Sequence, residues 1–403
     1  MSTSLLYHAF GIQGFQYVHS KYQEGKVKLL IAKDPASLRC PCCNRLKVKR
    51  HGETTREFKS IPIGKKPVII SFPIPRVECL DCNIVRQIHL GFADPRRTYT
   101  KSFERLALDL SKHMTILDVA NFLDVSWDII KDIQKRYLTR RFSKPKLRGL
   151  KQIAIDEISV GKGHKYLTVV LDLVSGAVVY VGNGKGADSL KPFWERLARS
   201  QAKIDAVAID MSPAYNAAIS KNLPKATLVF DHFHVIKLFN DKLSDFRRQL
   251  FNESTDKEKG ILKGTRWLLL KNPENLNVDK NEKATLEYAL KLNAPLAAAY
   301  YMKEELRQLW TQESKEKANQ YLNSWINRAK NSEIKMLVTF AKTLKKHRKG
   351  ITGYYDYPIS TGPLEGTNNK IKTIQKQAYG FRDMNFFKLK ICALHESKYA
   401  LVG

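Results

Sequence analysis

The spacing of apolar and polar positions changes character several times along the chain, and each change marks a different kind of element. Strand-like apolar runs come first, among them Val68-Ile69-Ile70-Ser71-Phe72. From Lys101 the spacing turns helical, with Phe103, Leu106, Ala107 and Leu110 on one amphipathic face. Thr115-Ile116-Leu117-Asp118 reads as a capping-box start for a short helix through Phe122. A turn at Leu123-Asp124-Val125 follows, and Ser126 can cap a third helix whose apolar side carries Trp127, Ile130, Ile133 and Tyr137. Beyond Pro145 the pattern returns to strands, predicted over about 152–157, 166–173, 177–182, 206–210 and 227–231, with helices starting near Asp188 and Pro213. From about 235 to 355 it is helical again, as in Leu286, Ala289, Leu290 and in Leu306, Leu309, Trp310, and a last helix starts at Pro363.

Two short helices around a tight turn, the second rich in basic residues, predict a helix-turn-helix that enters the major groove. Asp124 stands where glycine is common in such a turn; Asp adopts the left-handed conformation at some cost. Lys131, Lys135, Arg136, Arg140 and Arg141 are its candidate DNA-binding residues. Three consecutive strands followed by alternating helix and strand match the ribonuclease-H-like order. The expected fold is therefore multidomain α/β: a zinc-binding domain at 1–95, a helix-turn-helix at 96–145, and a ribonuclease-H-like core at 150–234. A helical insertion at 235–355 interrupts that core, and a C-terminal part at 356–403 completes it.

Charge narrows the partners. The 403 residues hold 69 Lys+Arg against 39 Asp+Glu, a net of +30, and residues 1–150 alone hold 28 basic and 13 acidic residues. An excess so widely spread repels itself without a polyanion, and DNA is the natural partner. No stretch reaches the roughly 18–20 apolar residues that span a membrane, and Met1-Ser2-Thr3-Ser4-Leu5-Leu6 lacks a signal-peptide pattern, so a cytoplasmic, nucleoid-associated protein is expected. Cys40-Pro41-Cys42-Cys43 and Cys79-Leu80-Asp81-Cys82 form two CxxC knuckles, which predict a closed four-thiolate zinc site from Cys40, Cys43, Cys79 and Cys82. Cys42 is surplus, and Cys392, alone in an apolar helix, reads as a core residue.

Three acids carry the candidate chemistry. Asp156 ends one buried strand, Asp210 ends another, and Glu365 opens the last helix. A phosphodiester transition state gathers charge on the attacking and leaving oxygens, and two divalent ions about 3.5–4 Å apart, held by carboxylates, stabilise both. Magnesium or manganese at Asp156, Asp210 and Glu365 suits that reaction. Glu157 points away from Asp156 by strand alternation, Asp172, a rival acid at the end of the second strand, reads as a salt-bridge partner or a turn cap, and Asp231 remains a rival to Asp210. Glu365, Asn368, Asn369, Lys372 and Lys376 share one polar helix face, suited to metal at the first and DNA at Asn369 and Lys372. Lys342, Lys345, Lys346, His347, Arg348 and Lys349 either follow a DNA backbone or form a solvated helix end; Trp267 is expected in the core, with stacking on a flipped base as its alternative.

Several segments in order resemble the bacterial insertion-sequence transposases of the ISL-three family, with a DDE core. They are Ile155-Asp156-Glu157 with Gly163-His164-Lys165-Tyr166-Leu167; Asp210-Met211-Ser212-Pro213-Ala214-Tyr215; Asp231-His232-Phe233-His234-Val235; and Leu364-Glu365-Gly366-Thr367-Asn368-Asn369-Lys370, leading into Ala378-Tyr379-Gly380-Phe381-Arg382. The resemblance implies that Asp156, Asp210 and Glu365 are the catalytic, metal-binding triad and that His234 stands at the edge of the site. It also implies a homodimer that binds terminal inverted repeats, cleaves DNA at the element end and joins the released 3′-hydroxyl to target DNA. A structure-specific nuclease of the same fold and a catalytically inactive zinc-containing DNA-binding regulator are the alternatives.

Overall fold

A computed structural model describes residues 4–161, 163 and 165–396; His164 of the resembling segment lies outside them. The chain divides into two compact units, Met1–Arg141 and Phe142–Gly403.

The first unit opens with helix α1 (Leu5–Phe10) and the hairpin of β1 (Gln16–Gln23) and β2 (Lys26–Ala32). A long hairpin of β3 (Val48–Ile63) and β4 (Lys66–Cys79) follows, with β5 (Ile84–Gln87) paired to β4; the sheet order is β1-β2-β4-β3. Alternation along β4 turns Val68, Ile70, Phe72 and Ile74 inward. Phe15 there meets Phe72 and Phe92 edge-on at 5.0 and 5.1 Å, a favoured aromatic geometry.

Helices α2 (Lys101–Leu110), α3 (Ile116–Leu123) and α4 (Trp127–Phe142) pack around Phe103, Ala107, Val119, Leu123, Ile130 and Ile133. The Thr115 hydroxyl accepts from the Asp118 N–H while the Asp118 carboxylate accepts from the Thr115 N–H, so the expected capping box is formed. Asp124 ends α3 at φ 52°, the left-handed conformation its position demands. One expectation fails: Trp127 is 50% exposed, with the Lys131 ammonium 5.7 Å from its ring centre, and is not on the apolar side of α4. At the first turn of α4 it lies beyond the helices that bury Ile130 and Ile133.

In the second unit β6 (Gln152–Gly161), β7 (Lys165–Asp172) and β8 (Val178–Asn183) are antiparallel neighbours. Helix α5 (Lys191–Ser200) leads to β9 (Ala206–Ile209), and α6 (Pro213–Asn222) leads to β10 (Thr227–Phe230). Both late strands run parallel to the first, giving the order β10-β9-β6-β7-β8 and a ribonuclease-H-like core. Asp172 accepts hydrogen bonds from the Val174 and Ser175 N–H groups and the Ser175 hydroxyl, and so caps the β7–β8 turn.

Between β10 and the last strand-facing helix run α7 (His232–Glu253), α8 (Asp256–Gly264), α9 (Arg266–Leu270), α10 (Glu282–Leu292), α11 (Ala294–Arg307), α12 (Lys315–Asn331) and α13 (Lys335–Thr352). Phe239, Trp325 and Phe340 interlock at their centre, and the same buried cluster continues into Ile209 and Phe230 of the sheet. Trp267, expected in the core, is 64% exposed beneath the Arg266 guanidinium at 4.7 Å; the short α9 buries Leu268 and Leu269 instead. The chain closes with α14 (Gly362–Gln377) and α15 (Met384–Cys392), where Cys392 is buried and its thiol is pushed up to about 12 by that burial. Among the described residues no helix is long and apolar enough to cross a membrane.

Candidate active site

The parallel pairing of β6 and β9 aligns Ala154 with Ala208. These alanines lie two residues before Asp156 and Asp210; Asp210 is the first residue past β9, and it lies close enough for its charge to act on Asp156. Asp156 Oδ1 accepts from the Glu157 N–H at 2.8 Å, and Asp210 Oδ1 from the Ser212 N–H at 3.0 Å, where α6 begins. Glu157 takes the opposite face, as alternation requires. There the Tyr215 hydroxyl donates to its Oε2 at 3.3 Å and itself accepts from the Gly186 N–H at 3.1 Å.

Helix α14 lies along β6. Leu364 and Ile371 are buried beneath it, the Gln375 side-chain amide donates to the Val160 carbonyl at 2.6 Å, and Asn368 Nδ2 donates to Asp156 Oδ2 at 2.9 Å. Asn368, expected on the DNA-facing side, is only 8% exposed and turns into the site; its Oδ1 has no hydrogen-bond partner. Glu365 sits one turn earlier on the same helix and is exposed, as are Asn369 and Lys372 further along the outer edge. The three acids are more openly arranged than a single-ion cage: among the described residues, only four cysteines place their ligand atoms within 4.8 Å of one another.

Burial raises the pKa of Asp156; the Glu157 N–H and the charge of half-buried His234 pull the other way, while Asp210 and Glu157 add to the rise. Asp231 behaves differently. It is 4% exposed, and its Oδ1 accepts from the Phe233 N–H at 2.8 Å, capping α7. Its Oδ2 accepts from both the N–H and the hydroxyl of Thr361, at 2.7 and 2.6 Å. Although burial opposes it, these bonds and the neighbouring His232 hold its carboxyl below the usual range. Both oxygens are thus engaged, Oδ1 in capping α7 and Oδ2 in holding the start of α14. Thr361 was not singled out from the sequence; a Thr just before Gly362-Pro363 is a helix-start signal, but its hydroxyl serves Asp231 rather than the helix.

In the first unit Cys40, Cys43, Cys79 and Cys82 are the four cysteines that cluster, with the Cys43 and Cys79 sulfurs 3.6 Å apart. Four sulfurs about 2.3 Å from one zinc would stand about 3.8 Å apart, so the donor set fits that ion. The two knuckles are built alike: Asn44 and Asn83, each following the second cysteine, adopt φ 60° and 50° and donate their N–H to the carbonyls of Cys40 and Cys79. The repeated Cys-x-x-Cys-Asn was visible in the sequence as a turn signal. The Cys43 backbone N–H leads in lowering Cys40 to about 7, whereas Cys82 is pushed up, first by its hydrogen bond with the Cys43 sulfur. Cys42 is exposed and outside the cluster.

On α4, Arg140 and Arg141 are exposed at the helix end, and Lys131 and Lys135 are half-buried. Arg136, expected to face DNA, is instead tied inward. Its guanidinium pairs with Glu104 at 3.1 Å and Asp132 at 3.2 Å and donates to the Tyr99 hydroxyl at 2.9 Å, which makes it a brace between helices.

A family model described as "Transposase", for the DDE domain of the ISL3 family, matches residues 153–391. Those for the "Helix-turn-helix domain of transposase family ISL3" and the "zinc-finger of transposase IS204/IS1001/IS1096/IS1165" match 88–138 and 37–82. The chain is 32% identical over 392 residues to the transposase for insertion sequence element IS1001 of Bordetella parapertussis, covering 95% of this chain and 96% of that one. It is 28% identical over 370 residues to the transposase for IS1557 of Mycobacterium tuberculosis, covering 85% and 82%. The Drosophila P element transposase strand transfer complex aligns with 75% of this chain and 94% of its own at 12% identity and a TM-score of 0.38, too distant to add to the assignment. With a zinc ribbon, a helix-turn-helix and a DDE domain in order along nearly its whole length, the chain belongs to the ISL3 family of DNA transposases.

Proposed function

We propose that this transposase cuts and joins DNA at the rim formed by Asp156, Asp210 and Glu365, with two magnesium or manganese ions held among them. The observation that carries the reading is the pairing of β6 with β9 up to Ala154 and Ala208, two residues before Asp156 and Asp210, together with the Asn368–Asp156 bond, which brings the helix bearing Glu365 to the same part of the sheet. Two ions about 3.5–4 Å apart, each about 2.1 Å from its ligands, leave roughly 8 Å between outer oxygens, so an open trio of acids suits a pair of ions. Each oxygen of Asp156 keeps accepting capacity beside its hydrogen bonds from the Glu157 N–H and Asn368. When bound, the ions would stabilise charge on the attacking and leaving oxygens of an in-line displacement.

The chain's own residues hold the geometry. Asn368 and the Glu157 N–H fix the Asp156 carboxylate, the Ser212 N–H fixes Asp210, and Asp231 fixes the start of α14 and thereby Glu365. His234, whose charge acts on Asp156, hydrogen-bonds the scissile phosphate. Hydrolysis at the element end and attack of the 3′-hydroxyl on target DNA are both displacements at phosphorus, so one site serves both.

Zinc held by Cys40, Cys43, Cys79 and Cys82 shapes the first module, which with the helix-turn-helix binds terminal inverted repeats of double-stranded DNA. Lys131, Lys135, Arg140 and Arg141 contact that DNA, and Asn369 and Lys372 contact the strand at the rim. The working division of the chain is 1–95, 96–145, 150–234, 235–355 and 356–403, supported by the two compact units and the three matched regions. Pairing of two element ends calls for a homodimer, acting in the cytoplasm at the nucleoid.

Incubation with a terminal-repeat duplex, target DNA and magnesium tests the whole reading. Joined products support it; cleavage without joining identifies a structure-specific nuclease, and retention alone an inactive regulator.

A further inference from the structure

Helix α13 is pressed onto the edge strand of the catalytic sheet by two glycines. A Cβ at Gly350 would stand 2.4 Å from the Phe230 ring, and one at Gly353 would stand 2.4 Å from the Leu228 carbonyl oxygen. Glycine is needed at both for the close approach. His347 adds an edge-on contact with Phe230 at 5.3 Å. Because Gly353 meets Leu228 while Gly350 and His347 meet Phe230, the helix runs antiparallel to β10. Its earlier turns therefore climb toward the strand end where Asp231 and His234 begin α7.

The outer side of this helix is a run of cations. Lys342, Lys345, Lys346 and Lys349 are exposed and, at spacings of three, four and seven, form a single stripe. Residues 335–352 contain no Asp or Glu. Among the described residues none of these four lysines takes part in an ion pair or hydrogen bond. Like charges three and four apart on a helix repel, and a solvated helix ordinarily interleaves acids to relieve this. Here no acid among the described residues pairs with them.

We infer that the Lys342–Lys349 stripe is a phosphate track that carries duplex DNA to or from the catalytic rim. At about 1.5 Å per residue the stripe is roughly 10 Å long, which spans about three phosphates of one strand. The inference rests on the reading that the rim cuts DNA, because that reading is what gives the track its direction. It assigns the insertion a binding role of its own, independent of the zinc and helix-turn-helix modules.

The test compares the intact protein with the Lys342→Ala/Lys346→Ala/Lys349→Ala variant, measuring duplex affinity across a salt series. Each phosphate contact contributes about 0.9 to the slope of log affinity against log salt, so the slope should flatten by about 2–3. The corresponding triple Lys→Arg variant should restore it, which separates lost charge from lost folding. A slope unchanged by the alanines overturns the inference. So does an equal flattening from Lys280→Ala/Lys283→Ala/Lys291→Ala on the α10 side, since that would mean net charge alone matters. The two readings fail separately: if Glu365→Gln still cleaves while the alanine variant flattens the slope, the rim is wrong and the track stands; normal joining with an unchanged slope means the reverse.

Discussion

Asp231 holds Thr361 from 130 residues away in the chain, accepting from its backbone N–H at 2.7 Å and its hydroxyl at 2.6 Å. The bonds join the residue after β10 to the residue just before the helix that bears Glu365, so an acid that resembles a metal ligand in the sequence acts here as a strut. Asp231→Asn places an amide N–H against two donors and should cost about 1–3 kcal/mol of stability, the usual penalty for an unsatisfied buried group. Cleavage should slow while the magnesium needed for half-maximal rate changes little. Thr361→Val should share the defect, and Thr361→Ser, which keeps the hydroxyl, should not. A large rise in magnesium requirement for Asp231→Asn but none for Asp210→Asn would mean that Asp231 is the second ligand.

The same bonds set a pH dependence. Asp231 is held below its unfolded pKa, so its stabilising contribution is complete above the ordinary carboxylate range and is lost as pH falls through the depressed folded value. Thermal unfolding of wild type should therefore fall more steeply than that of Asp231→Asn as pH drops below about 4.

Asp156 has the opposite sign. Its raised pKa means the folded state disfavours the ionised carboxylate, so in chelator its stabilising contribution is greatest when protonated and declines as pH rises past the ordinary value. Asp156→Asn should unfold at the same or a higher temperature than wild type at neutral pH without metal, because the unpartnered Asn368 Oδ1 can turn to accept from the new amide. Cleavage by Asp156→Asn, Asp210→Asn and Glu365→Gln should fall by on the order of 10²–10³-fold or more, with end binding retained. A variant that cleaves near the wild-type rate removes its residue from the triad.

Part of this site was legible because buried runs are legible and the element order fixes which strands adjoin: Asp210 does follow the last residue of β9, whereas Asp156, expected to end its strand, lies midway along β6, which runs on to Gly161 in its pairing with β7. Glu365 was marked by Pro363 at a helix start. Asn368 was not, because Glu365, Asn368, Asn369 and Lys372 occupy one broad arc and only docking onto β6 decides which edge of it turns inward. The inward turn of Arg136 is hidden in the sequence for a similar reason. A basic run does not reveal which member meets Glu104, 32 positions earlier in the sequence, across a helix interface. Helical spacing groups Trp127 with Ile130 and Ile133, but at the starts of their helices Trp127 and Trp267 each lie against a neighbouring cation in solvent.

The zinc module offers an internal control. Cys40→Ser and Cys43→Ser should each unfold the region around 40–82 and release zinc, since a structural ion supplies folding free energy directly. Cys42→Ser, altering an exposed thiol outside the cluster, should leave zinc content and unfolding temperature nearly unchanged. Metal analysis of the purified variants decides it. Protein purified without chelator that contains no zinc would refute the assignment.

His234 lies two residues inside α7, half-buried, with its charge acting on Asp156 and no carboxylate ion-paired to its ring among the described residues. His232 is the residue whose ring approaches Asp231, at 3.5 Å. The His234 ring therefore takes no part in the Asp231–Thr361 bonds, and a hydrogen bond to the scissile phosphate is the work proposed for it. His234→Ala should slow cleavage at saturating magnesium by on the order of 10²-fold, the scale of a lost proton-transfer or charge-stabilising group. The magnesium requirement and the unfolding temperature should change little, which separates this variant from Asp210→Asn and from Asp231→Asn respectively. His232→Ala, which leaves the rim untouched, should cleave at close to the wild-type rate. If the two histidine variants lose activity equally, the role belongs to the α7 start as a whole and not to His234.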